Sequence, residues 1–124
     1  MTNQEVFDTV VQHLAQQKQP AVEGNRSSCY YRTSTGLKCP VGCLIPDEEY
    51  QEAFETLEFM THEVISACPS LKTLSETLLI QLQNAHDERA HNAASLQAEL
   101  RNIARDFFLD AASVKRITEW TTNQ

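Results

Sequence analysis

Residues 29–50 constrain this chain most. The stretch CYYRTSTGLKCPVGCLIPDEEY holds three of the four cysteines, two of the three glycines and two of the four prolines. Glycine and proline punctuate a backbone, so the chain changes direction here more than anywhere else. The run from Ser28 to Arg32 is rich in aromatic residues and predicts a strand. Thr33, Ser34, Thr35 and Gly36 read as a turn. Leu37 to Val41 reads as a second strand, giving a β-hairpin over 28–44. Pro40 has no N–H for a ladder, so the second strand is an edge or ends there. Gly42 implies a positive φ or a backbone that comes very close.

The flanks read as helix. Thr2 and Glu5 form a capping box. Val6, Val10 and Leu14 then share one face with Phe7, Val11 and Ala15, predicting a helix over 3–17 that stops before Pro20. Gly24 and Asn25 mark a turn in the polar connector that follows. Asp47 reads as the N-cap of a helix continuing through Phe54, Leu57 and Phe59. A second piece runs from Met60 to Ala67 and stops at Cys68 and Pro69. Ser70 reads as the cap of a helix over 71–85, carried by Leu71, Leu74, Leu78, Leu79 and Leu82. Residues 90–109 continue as helix with Leu96, Leu100, Ile103, Ala104 and Phe107 on one face. Asp110 caps a short last helix with Val114, Ile117 and Trp120 inward. The expectation is one α+β domain over 1–124: helix 3–17, hairpin 28–44 and a helical remainder over 47–120. No βαβ alternation occurs, which excludes a doubly wound sheet.

Composition excludes several classes. With 124 residues, 41% hydrophobic and 22% charged, the chain can bury one core and is not disordered. No apolar run approaches the length of about 20 residues that spans a bilayer. The N-terminus lacks the basic and apolar regions of a signal peptide, so the expected location is the cytoplasm. Four cysteines in that compartment read as thiols or metal ligands rather than disulfides. A net charge of −7 argues against direct nucleic-acid binding and suits either solubility or a basic partner.

Chemistry could gather at a few residues. Cys39 and Cys43, with three residues between them, fit one half of a zinc site, with Cys29 and His86 as further ligands. The alternative is that small thiols fill gaps under the hairpin. Cys29 or Cys39 could act as nucleophile, with His86 as base and Asp87 as orienting carboxylate. The competing reading makes His86 and Asp87 a helix-junction cap. Arg32 could pair with Asp47 or Asp87, or hold an anionic ligand together with Tyr50. Arg32, Asp47, His86 and Asp87 are expected in one cluster, with Cys29 and Cys39 beside it. Arg32 needs an anionic partner wherever it is buried, and residues 71–85 deliver His86 and Asp87 to one edge. The chain has no P-loop, G-x-G-x-x-G, H-E-x-x-H or G-x-S-x-G.

Three groups of these residues carry a resemblance. Cys29, Tyr31 and Arg32 match C-x-Y-R. Gly36, Cys39, Gly42, Ile45, Pro46, Asp47 and Tyr50 match G-x-x-C-x-x-G-x-x-I-P-D-x-x-Y. Leu82, Gln83, His86 and Asp87 match L-Q-x-x-H-D. The chain thereby resembles an uncharacterised family of small phage, prophage and bacterial proteins. The resemblance implies that the 29–50 stretch and the His86–Asp87 junction form one structural feature. Pro40 stands where the pattern has a small residue. Cys43 lies outside the pattern, which leaves Cys29, Cys39, His86 and Asp87 as the cluster. The function expected is non-enzymatic binding or modulation of a host macromolecule, with a host protein as partner, no cofactor, and the host cell cytoplasm as the location if a phage encodes the chain. The alternatives are a small enzyme or ligand-binding protein with a Cys/His/Asp/Arg site, and a zinc-stabilised or virion-associated structural protein.

Overall fold

The computed structural model describes residues 1–23, 29–56, 61–89 and 92–121. Gly24, Asn25, Ser28, Leu57, Phe59 and Met60 lie outside them, and with them the 24–25 turn and the joint between the two predicted helical pieces. The first helix, α1 (Asn3–Gln17), forms with the capping box the sequence predicts: Thr2 Oγ1 accepts from Glu5 N and Glu5 accepts from Thr2 N. Val6, Phe7, Val10, Val11 and Leu14 line its buried face.

The hairpin does not form, and the architecture is all-α rather than α+β. Among the described residues the only pairing of β type is one antiparallel bridge, Arg32 to Lys38. Thr33 N donates to Leu37 O and Cys39 N donates to Tyr31 O around the turn at Gly36, where φ is 96°. The pairing spreads no further because side chains take the backbone groups a ladder would use. Glu55 accepts from both Tyr31 N and Arg32 N. Gln17 of α1 accepts from Lys38 N and donates to Lys38 O. Pro40, expected to end a strand, instead opens a helix, α2 (Pro40–Leu44), at the first helical position, where a missing N–H costs nothing. Cys39 caps it, its Sγ accepting from Gly42 N at 3.2 Å. Gly42 is close-packed: a Cβ there would stand 1.9 Å from Tyr31 O.

Asp47 caps no long helix. Asp47–Glu49 and Glu52–Glu55 are separate 3₁₀ turns, the first entered from Pro46 without a side-chain cap. The short α3 (Thr61–Ala67) follows. Ser70 is not a cap either, since its N–H and hydroxyl both go to the Glu49 carboxylate. Ser75 caps α4 (Glu76–Asn84) through Leu78 N, and α4 buries Leu78, Leu79, Leu82 and Gln83. Residues Ala85–Arg89 widen into a π-helical turn. An Asn92–Ser95 capping box opens α5 (Ala93–Asp106), with Leu96, Leu100, Ile103 and Ala104 inward. Asp110 accepts from Ala112 N at the entry to a last 3₁₀ turn, Ala112–Arg116. Val114, Ile117 and Trp120 are buried as their spacing predicts. Thr121 N returns to Lys18 O at the end of α1. No helix among the described residues is long and apolar enough to cross a membrane.

Candidate functional site

Wider π-turns displace side chains from the ordinary helical positions and recur at functional sites. Here the π-turn carries His86 and Asp87 at the inner end of α4. The His86 side chain is fully buried, while that of Asp87 is 31% exposed. Ala21 N donates to His86 Nε2 at 3.1 Å, so the neutral ring carries its proton on Nδ1. Nδ1 lies 2.6 Å from Asp87 Oδ1. Gln83, four residues earlier and so on the same helical face, donates from Nε2 to the Asp87 carboxylate at 3.3 Å. Its Oε1 accepts from Val41 N at 3.0 Å. The result is a continuous chain of hydrogen bonds, Ala21–His86–Asp87–Gln83–Val41, that ties the connector after α1 to α2 through α4. The Trp120 and His86 rings meet edge to face, with centroids 6.0 Å apart.

Arg32 belongs to a different group. Its guanidinium donates to Asp47 at 2.8 Å and to Ile45 O, and lies 4.7 Å from the centre of the Tyr50 ring. The Tyr50 hydroxyl donates to Glu55, the carboxylate that also holds Tyr31 N and Arg32 N. Burial and then this anionic neighbour push the Tyr50 phenol far upward. The group walls a cleft of about 460 Å³ lined by Glu23, Tyr30, Arg32, Thr33, Ser34, Tyr50, Glu52 and Glu55. Hydrogen bonds from Ser34 hold the Glu23 carboxyl below its ordinary range. A second hollow, about 340 Å³, lies between α1 and the last 3₁₀ turn. There Gln4 and Ser113 both donate to Asp8, so much of its polar lining is bonded internally.

The expected single cluster therefore resolves into two. Arg32 and Asp47 pair as one predicted alternative has it, and Tyr50 joins them. The second carboxylate of the expected set, Asp87, serves His86 and Gln83. Cys29 accompanies His86 and Asp87: one donor atom from each lies within 4.8 Å of the others. Cys39 and Cys43 are not in that donor group. Cys39 is fully buried as the cap of α2, and burial pushes its thiol well above the usual range, with Asp87 adding to the effect. Cys43 donates to Pro40 O, and burial raises its thiol to about 12. The zinc set Cys29, Cys39, Cys43 and His86 thus narrows to Cys29 and His86, with Asp87 replacing the other two cysteines. Thiolate, imidazole and carboxylate are donors that zinc accepts.

Of the two expected nucleophiles, Cys29 lies with His86 and Asp87, whereas Cys39 lies outside that group and burial holds it as a thiol. Both His86 nitrogens are also already in hydrogen bonds. Glu55 and Ala21, which organise the two groups, carry no motif. The spacing of Gln83 to Asp87 is the one signal that could have revealed the relay. No protein-family model, no curated protein and no solved structure matches the chain.

Proposed function

We propose that the chain is a non-enzymatic, phage- or prophage-like binding protein, and that it engages a positively charged segment of a host protein in the Tyr30–Tyr50 cleft. The observation carrying this reading is the charge of that cleft. Asp47 neutralises Arg32, and Glu23 and Glu52 add anionic lining beside two tyrosines. Carboxylates with aromatic faces suit a lysine or arginine side chain. The net charge of −7 would steer such a partner toward the protein. The reading needs no cofactor. Zinc, if bound, belongs to Cys29, His86 and Asp87, none of which lines the cleft.

The test is an NMR titration with an unstructured lysine- and arginine-rich peptide. The expected result is saturable binding with shifts at Tyr30, Ser34 and Tyr50. It should weaken with added salt and fall at least about tenfold in Glu52→Lys, a reversal of an exposed charge. Binding that ignores salt and Glu52→Lys, or that maps elsewhere, overturns the reading.

A further inference from the structure

The half-buried Cys29 and the partly exposed Asp87 flank a fully buried imidazole. Their donor atoms lie within 4.8 Å of one another, and around a tetrahedral zinc ion two such donors sit about 3–4 Å apart. Metal binding requires the 2.6 Å pair of His86 Nδ1 and Asp87 Oδ1 to widen and the longer separations to shorten, both by side-chain rotation. The closed side of the site is formed by His86 and Trp120. Asp87 faces solvent, the side from which a water would complete four ligands. Beside the site, the Trp120 Nε1 donor is buried without an acceptor.

We propose that Cys29, His86 and Asp87 bind a zinc-type divalent cation, and that loading it releases the Ala21 backbone from His86. Cys29 binds as thiolate, giving its proton to solvent. His86 binds through Nδ1, the nitrogen that now faces Asp87 at 2.6 Å. The ring proton then resides on Nε2, directly opposite the Ala21 N–H that Nε2 now accepts. Two donors cannot face each other, so that contact opens. The metal–imidazole bond outweighs the one amide hydrogen bond it displaces. Ala21 O accepts from Tyr30 N, next to Cys29, so the movement at Ala21 is tied to the segment that supplies the thiolate. The site shares no residue with the cleft and does not depend on it.

The experiment uses the full, tag-free chain, stripped of metal with a chelator and titrated with Zn²⁺ against a chromophoric competitor, and separately with Co²⁺. Wild type should bind one ion. Cys29→Ser and Asp87→Asn should weaken it about 100-fold or more, at or beyond the upper end seen for supporting residues alone. Cys43→Ser should leave affinity unchanged. Cobalt should give a thiolate charge-transfer band that Cys29→Ser abolishes. The Ala21 amide should be protected from exchange without metal and exposed with it. Equal affinity in wild type and Cys29→Ser, or loss in Cys43→Ser, overturns the site. Binding that leaves Ala21 protected overturns the linkage.

Discussion

Gly42 shows how one atom decides a position. No left-handed backbone is involved, since Gly42 lies inside α2. The reason for glycine is the Tyr31 carbonyl, which a Cβ would meet at 1.9 Å. Backbone cannot swing aside as a long side chain can. Gly42→Ala should therefore destabilise by about 1–3 kcal/mol, the range for overpacking, as read from urea melts. An unchanged midpoint would show that the two segments can separate at no cost. Gln83 makes the complementary case. It is 3% exposed and joins Val41 N to Asp87. Gln83→Leu keeps the size of the side chain but strands the Val41 N–H. A buried donor left unpaired costs about 1–3 kcal/mol, so a similar loss is expected in the same melts.

The caps carry the argument at the scale of elements. Ser75, Asn92 and Thr2 each accept from a backbone N–H in the first turn of their helix. Ser75→Ala should cost about 1 kcal/mol in thermal unfolding. The end of α5 is different. Leu109 N reaches back to Ala104 O while Phe108 takes φ 57°, a helix stop that usually employs glycine. Phe108 is also 95% exposed, so its ring contributes little burial to offset the conformation. Phe108→Gly should raise stability by up to about 1 kcal/mol, the relief of a left-handed residue partly offset by glycine's entropy. A drop in the melting temperature would mean that the ring does more than the contacts around it suggest.

For the whole molecule, the buried thiols and phenols set the alkaline limit. Burial raises Cys43 and Tyr31 each to about 12, and holds Cys39 well above its ordinary value. These groups must stay neutral in the folded chain but ionise earlier once unfolded, near 9.0 for cysteine and 10.0 for tyrosine. The unfolded state therefore binds fewer protons than the native one across that interval, and stability falls as pH rises. Their contribution is intact below about pH 9 and declines from there toward pH 12. Urea midpoints should be level from pH 7 to 8.5 and drop steadily above it. A flat profile to pH 11 would show that the thiols and Tyr31 are open to solvent.

Local signals determined α1, the buried stripes of α4 and α5, and the inward Val114, Ile117 and Trp120. Their apolar periods and the Thr2–Glu5 box need only neighbouring residues to act. The chain order also set His86 beside Asp87, and charge offered Asp47 as one of two partners for Arg32. The tertiary structure decided the rest. The hairpin failed because its backbone groups found partners far off in sequence, Gln17 on one side and Glu55 on the other, and those partners leave no edge for a second strand. Pro40 is compatible with a strand end and with a helix start, and the Cys39 cap closed the choice. The single polar cluster split because a carboxylate serves whichever cation or donor packing brings within reach. Asp47 reached Arg32, and Asp87 was turned inward onto His86 by the π-turn and Gln83. Hydrogen-bond competition across long sequence separations made these choices, and no local pattern records it.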